Sequence, residues 1–432
     1  MMKRLLTATL AVILTLSLAA CGDNNSANLP SVSTGDNNVL GTDFQKNMNQ
    51  STSYRFYNLC ETEEGYYFEF SGMVYFVDKA NGASTILCGK PDCLHTDNSC
   101  NAFINARFLT YYNGKLYYSN SDSVLENGSY EDKGEQLYSM NLDGTSHNAV
   151  QAFDFTPNGD SSNYLTAPIV HRGNTYFCYS GKLYVAKLGS DIENATLIYG
   201  EELVDDGTMV VNPNELYYEL WADGDIVYFM AKNVKQSDGT YKDTLFSYDP
   251  QTNNTEKVWQ VPDKSEVGTW DTTGVSVSQW YVSNGHIYFY LSGNDIWYTE
   301  LSTGETNKLV DLDIDAGVAS FSSEYIVLIS KEVVGVDLIN GGSALSAGDT
   351  IYIYGYDGKL VKEISLKKIY EECSDVDDCS ILWVDDGKIY VQASGSVPQP
   401  DKNYDLQTEL IYCADIESGS IDEAVWSWSY GY

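Results

Sequence analysis

Asn284-Gly285-His286-Ile287-Tyr288-Phe289 opens a unit that runs on through Ile296-Trp297-Tyr298 to the turn Thr303-Gly304. A two-residue hairpin needs φ > 0 at both central residues, and Asn-Gly meets that demand at low cost. The flanking runs are short and rich in Tyr, Ile and Phe, as strands are. The unit therefore reads as an apolar strand, a tight turn, a Tyr-rich strand, a loop, a second Tyr-containing strand, a polar turn and a last apolar strand.

The same pattern recurs on both sides. Upstream, Gly65-Tyr66-Tyr67-Phe68 leads to Val74-Tyr75-Phe76 and Asn81-Gly82; Asn113-Gly114 leads to Leu116-Tyr117-Tyr118, Leu137-Tyr138 and Asp143-Gly144; Arg172-Gly173 leads to Tyr176-Phe177 and Leu183-Tyr184-Val185; Asp223-Gly224 leads to Val227-Tyr228-Phe229 and Leu245-Phe246. Downstream, Tyr325-Ile326-Val327 leads to Ile351-Tyr352-Ile353 and Asp357-Gly358, and Asp386-Gly387 leads to Ile389-Tyr390-Val391, Leu410-Ile411-Tyr412 and Ser418-Gly419. The spacing of roughly 40–60 residues is that of propeller blades. A lone four-stranded sheet leaves a face exposed, whereas stacking such sheets around an axis buries both faces. The expected fold is an all-β propeller of about seven four-stranded blades; a pair of β-sandwiches shares the same short strands and turns. A turn of helix is expected at Leu366–Tyr370.

Composition agrees. The chain has 432 residues, 43% of them apolar, with 35 Tyr against 14 Phe and 35 Gly. A net charge of −36 argues against nucleic acid, whose phosphates need clustered Lys and Arg. It also argues against an anionic lipid surface held by charge.

The N-terminus points to a compartment. Lys3 and Arg4 precede an apolar run from Leu5 to Leu18, too short for the ~20 residues that span a bilayer. Leu18-Ala19-Ala20-Cys21 follows and resembles the lipobox of bacterial lipoproteins, in which the peptide is cut before a lipidated Cys. Residues 1–20 are thus read as a signal peptide. Residues 21–43, with Cys21 as the lipid attachment site and a run rich in Asn, Ser, Gly and Asp behind it, are read as a flexible tether. The propeller domain is placed at 44–432. The expected location is the extracytoplasmic face of the cell membrane, held by lipid alone.

Cys88-Gly-Lys-Pro-Asp-Cys93-Leu-His95-Thr-Asp-Asn-Ser-Cys100-Asn101-Ala102 closes the first unit. With the lipobox and the repeats, this segment resembles a signature of a broad group of lipid-anchored bacterial surface proteins with propeller-forming repeats, common in anaerobic gut Firmicutes. The resemblance implies a fold and a location, and no catalytic residues.

Nine cysteines are present. With Cys21 assigned to lipid, the even remainder in an exported chain reads first as disulfides, Cys93 with Cys100, Cys373 with Cys379 and Cys60 with Cys88. Cys178 and Cys413 read as free buried thiols. The alternative is a metal: Cys88, Cys93, His95 and Cys100 supply three thiolates and an imidazole, a set that zinc accepts tetrahedrally.

Other candidates are weaker. Asp311, Asp313 and Asp315 alternate as in a calcium loop, but Ala316 stands where Gly is needed and Ser322 where the bidentate Glu belongs. Ala344-Leu-Ser346-Ala-Gly348 is a loose nucleophile elbow without the strand-to-helix context. Asp223, Asp225, Asp385 and Asp386 sit at turns on one expected face, where glycosidase carboxylates would have to converge. Trp221, Trp280, Tyr281 and Trp383 precede such turns; they form either an aromatic platform at the channel mouth or packing between blades. His147, His171 and His286 show no partner in sequence. The function expected is a surface propeller that binds a glycan, peptide or envelope protein without catalysis. The alternatives are an extracellular glycan hydrolase or lyase, and a sensor or envelope-assembly lipoprotein.

Overall fold

The structure is a computed structural model. It describes residues 59–429 except 97–98, 105–107, 127–128, 154–164, 180–181, 201–218, 237–238, 263–276, 292–294, 313–315, 323, 337–342, 386 and 398–405. The signal segment, Cys21 and the tether to residue 43 lie outside the described residues, as does the start of the propeller domain at residue 44. Among the described residues no helix is long and apolar enough to cross a membrane.

Seven antiparallel four-stranded sheets follow one another along the chain. The first blade is β1 (Leu59–Glu61), β2 (Gly65–Phe70), β3 (Met73–Asp78) and β4 (Ser84–Ile86). The second is β5 (Leu109–Tyr112), β6 (Lys115–Glu126), β7 (Ser129–Asn141) and β8 (Asn148–Phe153). The third is β9 (Leu165–His171), β10 (Asn174–Tyr179), β11 (Lys182–Lys187) and β12 (Thr196–Tyr199). The fourth is β13 (Glu219–Asp223), β14 (Ile226–Lys235), β15 (Tyr241–Asp249) and β16 (Asn254–Gln260). The fifth is β17 (Val277–Ser283), β18 (His286–Leu291), β19 (Asp295–Glu300) and β20 (Thr306–Asp311). The sixth is β21 (Ala316–Phe321), β22 (Tyr325–Val336), β23 (Ser343–Gly355) and β24 (Leu360–Ser365). The seventh is β25 (Ser374–Asp385), β26 (Lys388–Val397), β27 (Leu406–Asp415) and β28 (Ser420–Ser429). A short helix, α1 (Lys367–Glu372), buries Ile369 between the sixth and seventh blades, where a turn of helix is expected. The result is a seven-bladed β-propeller, with each expected unit forming one blade.

The turns behave as their residues dictate. Asn284 and Gly285 take φ of 52° and 75° and join β17 to β18 with Ser283 opposite His286. First strands of successive blades lie side by side, β1 with β5, β5 with β9, β13 with β17, β17 with β21 and β21 with β25. The ring closes between the seventh and first blades through a buried cluster containing Tyr66, Phe68, Trp383, Tyr390 and Trp426. The Trp426–Trp428 run is the outer strand of the last blade, paired with β27. The sequence leaves this run a second option, pairing with residues 52–58 to close the ring; those residues, like Tyr430, lie outside the described residues.

Because the strands alternate in direction, the turns between first and second and between third and fourth strands share one face. The hairpins between second and third strands share the other face with the blade-to-blade connections. The two faces differ in relief. Hairpins of the first, third and fifth blades end with Phe70 opposite Met73, Tyr179 opposite Lys182 and Leu291 opposite Asp295. Those of the second, fourth, sixth and seventh blades run on to Glu126 opposite Ser129, Lys235 opposite Tyr241, Val336 opposite Ser343 and Val397 opposite Leu406.

The first blade has an unusual outer edge. β4 covers only Tyr75–Val77 of β3. The remaining edge is covered after an excursion of the chain: the Val74 amide donates to Ala102 O (2.9 Å), the Ile104 amide to Gly72 O (2.9 Å), and Phe103 bridges Met73. The fourth strand is thus split, and the Cys/His segment lies in the gap between its halves.

Candidate metal centre

The excursion begins at Leu87, whose amide donates to Val74 O (2.9 Å), and returns at Ala102. Both ends are anchored in the apolar core shared by the first two blades, where Leu87, Cys100, Ala102 and Ile104 pack with Leu116, Met140 and Leu142. Between those anchors Cys88, Cys93, His95 and Cys100 converge, with their ligand atoms within 4.8 Å of one another. In a tetrahedral zinc site with Zn–S near 2.3 Å, ligand atoms lie about 3.5–3.8 Å apart. The cluster is therefore close to the size of a coordination shell.

The tight Cys93-Leu-His95 step is made by the left-handed backbone of His95, φ 54°. That conformation costs a non-Gly residue about 1–2 kcal/mol and swings the ring back, so that Nδ1 lies 3.2 Å from Cys100 Sγ. Leu94, the residue between, is turned out and exposed.

The thiols are differentiated by their surroundings. Burial works against ionisation of Cys88, but backbone N–H groups of Lys90 and Asn101 and the thiols of Cys100 and Cys93 outweigh it, holding Cys88 below the usual thiol range. Burial pushes Cys100 up to about 12, the Ala102 amide opposing and the neighbouring thiols adding to the rise. Cys88 and Cys100 each meet the amide of the residue two positions on, Lys90 and Ala102 (3.4 Å to Cys100 Sγ). Such N–H···S contacts favour thiolates and so favour a cation among them. Soft thiolates with one imidazole suit zinc, and four protein ligands leave no open position for chemistry.

No disulfide forms among the eight cysteines from Cys60 onward, which departs from the expected pairing. Cys60 lies in β1 and Cys88 just beyond β4, at opposite edges of one sheet. Three inter-strand spacings, about 14 Å, separate those edges. Along β25 the register moves from Ser374 opposite Ser396 to Cys379 opposite Ala393. That is about 10 Å of strand, and Cys373 lies one residue further back. A disulfide needs Cα atoms about 4.4–6.8 Å apart. Cys93 and Cys100 do meet, as members of the four-residue cluster. Cys178 and Cys413 are buried within β10 and β27.

The aromatic platform does not form. Trp221, Trp280, Tyr281 and Trp383 are all at most 5% exposed. Trp221, Tyr281 and Trp383 stand at one register, opposite Tyr228, Tyr288 and Tyr390. They pack across blade boundaries, Trp221 on Tyr281 (4.7 Å), Tyr281 on Tyr356 (5.9 Å) and Trp383 on Tyr66 (6.2 Å). Flat blades in a ring need large side chains there, and that demand takes the aromatics from the surface.

Asp313 and Asp315 lie outside the described residues, and Asp311 is exposed and ion-paired with Lys308 (3.2 Å). Asp225 pairs with Arg172 of the neighbouring blade and accepts from Gln251 Nε2 (2.9 Å), so it ties turns together. Asp223 ends β13 and Asp385 ends β25, while Asp386 lies outside the described residues. Ser346 sits within β23, opposite Glu332, so no strand-to-helix elbow exists there. His171 is buried with Nε2 2.9 Å from Gly224 O, and His286 Nδ1 lies 3.0 Å from Asn284 O.

One residue missed in sequence is His147. Its Nδ1 accepts from Tyr118 OH (2.7 Å), which puts the proton on Nε2, 3.0 Å from both Asn101 O and Gly144 O. It reaches the Cys/His segment from the second blade, across 46 residues of chain, and no local spacing announces that contact.

No protein-family model and no curated protein matches the chain. Among solved structures, BamB from Moraxella catarrhalis is similar at 10% identity over 78% of this chain and 92% of that one, TM-score 0.37. An oligogalacturonate lyase from Vibrio parahaemolyticus is similar at 12% identity over 66% and 74%, TM-score 0.36. An acylaminoacyl peptidase from Pyrococcus horikoshii is similar at 11% identity over 81% of this chain and 48% of that one, TM-score 0.42.

Proposed function

We propose that the chain is a lipid-anchored, extracytoplasmic propeller that binds a glycan, peptide or envelope protein on its hairpin face, without chemistry of its own. The observation that carries this reading is the uneven relief of that face. Four hairpins, β6–β7, β14–β15, β22–β23 and β26–β27, rise beyond the blades while the other three end flush. The bases of these hairpins pack on neighbouring blades, as where Asp243 accepts from the Val277 amide (3.0 Å), but their tips run past the level at which the other three turn, and rims of unequal height suit recognition of an irregular surface. Residues that chemistry would use are otherwise occupied: Asp225 is ion-paired, Ser346 lies in a strand and the Trp side chains are core. The Cys/His cluster in this reading is a structural zinc site, on the strength of its donor set and its N–H···S contacts.

The test compares the mature chain with a variant in which residues 332–346 are replaced by a short turn, on glycan and peptide arrays. Loss of binding with an unchanged melting temperature is the expected result. Binding that survives trimming of each raised hairpin in turn overturns the rim reading, and release of cleaved glycan overturns the non-catalytic one. For the anchor, Cys21→Ser should move the chain from the membrane fraction to the soluble one; a membrane-bound variant sinks it.

A further inference from the structure

We infer that zinc at Cys88, Cys93, His95 and Cys100 clasps the seam between the first two blades, with His147 as its positioning residue. This rests on the zinc reading above and goes beyond it in saying what the ion holds together.

The argument begins with the split fourth strand. β4 and the Ala102–Ile104 segment are both needed to cover the edge of β3, and 15 residues, Leu87 to Asn101, separate them. Nothing in a four-stranded blade requires that excursion. Among its described residues the backbone bonds to itself at Cys93 N to Lys90 O (3.2 Å). A cation gripping Cys88 at one end and Cys100 at the other closes the loop where the strand was interrupted, so binding free energy becomes folding free energy of that edge.

The next link runs through one peptide. Asn101 directly follows Cys100, and its carbonyl accepts from His147 Nε2 (3.0 Å). His147 is in turn oriented by Tyr118 OH (2.7 Å), from a residue buried in the second blade. The residue next to the ligand Cys100 is thus tied to an imidazole of the next blade. Groups that orient ligands in this way commonly change metal affinity 10–100-fold when removed. Around this link the two blades touch closely. Tyr67 OH donates to Leu142 O (3.1 Å), and Gly144 lies so near Leu87 that a Cβ would stand 2.3 Å from its carbonyl oxygen. Holding Cys88 and Cys100 together therefore also holds the second blade's turn at residues 141–148 in place.

The experiment uses the mature full chain, with zinc content measured by mass spectrometry and hydrogen exchange followed with and without a chelator. The expected result is one zinc per chain. Its removal should speed exchange at least ten-fold at residues 72–74, 87 and 102–104 and at 141–148, and leave 286–300 unchanged. His147→Ala should release zinc to a competing chelator about ten-fold more readily. His147→Gln, which keeps an N–H donor, should restore most of that loss. A chain without zinc, whether its thiols are free or oxidised to a disulfide, overturns the zinc reading and the clasp together. Zinc whose removal leaves exchange unchanged overturns the clasp and keeps the zinc. A His147→Ala variant with wild-type retention overturns the positioning role.

Discussion

The first blade is flanked by two seams of opposite chemistry. Toward the seventh blade it meets aromatics. Trp426 packs edge-on against Phe68 (5.3 Å), Phe70 (5.0 Å) and Tyr75 (5.3 Å), Trp428 against Phe70 (5.1 Å), and Tyr66 against Tyr390 (4.9 Å). Toward the second blade it meets an aliphatic core, Leu87, Ala102 and Ile104 against Leu116, Met140 and Leu142, edged by a split strand, a hydroxyl bonded to a carbonyl, the His147 imidazole and a cluster of three thiols and one imidazole. The blade itself is slight, with β1 and β4 of three residues each. A ring can be closed by buried area, which is non-directional and tolerant, or by chelation and hydrogen bonds, which demand positions. The aromatic seam joins the two ends of the chain, where a large area of rings is effective whatever the chain entropy of the ends. The polar seam joins neighbours in sequence and carries the Cys/His cluster.

The largest effect should come from the aromatic seam. Truncation after Ala424 removes Trp426 and Trp428 and the β28 pairing from Ile411↔Trp426 to Thr408↔Ser429. Burial of such a ring amounts to about 3–5 kcal/mol; Trp426 is buried and Trp428 partly so, and with the lost strand pairing the sum is a large share of a domain's stability. The truncated chain should unfold or aggregate at room temperature. Trp426→Ala alone should lower the melting temperature by roughly 5 °C or more. A truncated chain that melts like wild type would mean that the ends are held elsewhere.

Next in size is the polar seam. Cys100→Ser substitutes a poorer ligand at the one buried member of the cluster. It should lower zinc content well below one per chain and increase proteolysis within residues 88–104. The aromatic seam, followed by Trp fluorescence, should stay native. A fluorescence change as large as that from Trp426→Ala would show that the two seams are not independent. Gly144→Ala should be milder in chemistry yet local in the same way. Gly144 sits at φ 76° with Leu87 O in its path, so an added Cβ forces the turn and Leu87 apart. A loss of about 1–3 kcal/mol is expected, with faster exchange at Leu87. A silent substitution would mean the seam has slack.

The two seams also differ in how far they could be read in the sequence. Asn284-Gly285 and its equivalents marked the blades because a hairpin turn has a local cost that few residues meet. The Trp426–Trp428 run, rings alternating with Ser, reads as a half-buried strand, but its partner stayed open between the outer edge of the last blade and residues 52–58. The aromatics before the turns were visible, but their direction was not. Register alone decides whether Trp383 meets solvent or Tyr66, and register is set by the whole sheet. The splitting of the fourth strand was invisible, since Ala102–Ile104 pairs with Gly72–Val74 across an interruption. The cysteine spacing showed four ligand types and could not show that they converge. His147 lay hidden because its contact is long-range.

The smallest effect belongs to neither seam. On the turn face, Asp249, Glu300 and Asp415 stand four residues before Asn253, Gly304 and Gly419, each of which has φ > 0. Their carboxylates accept from the turn: Asp249 from Thr252 Oγ1 (2.8 Å), Glu300 from Ser302 Oγ (2.7 Å), and Asp415 from the Ser418 amide (2.7 Å). The Thr252 hydroxyl for Asp249, the Ser302 hydroxyl for Glu300 and the Ser418 amide for Asp415 hold each carboxyl below its usual value. A carboxyl whose value is lower in the folded chain than in the unfolded one stabilises the fold above the unfolded value, about 4. That contribution fades as pH falls through this value toward the folded one. These groups are exposed, so solvent screens them and each contribution is small. Asp415→Asn should flatten slightly the fall in melting temperature between pH 5 and pH 3 and leave zinc content untouched. A variant with the wild-type slope would show that the turn holds its shape through Gly419 and the backbone alone.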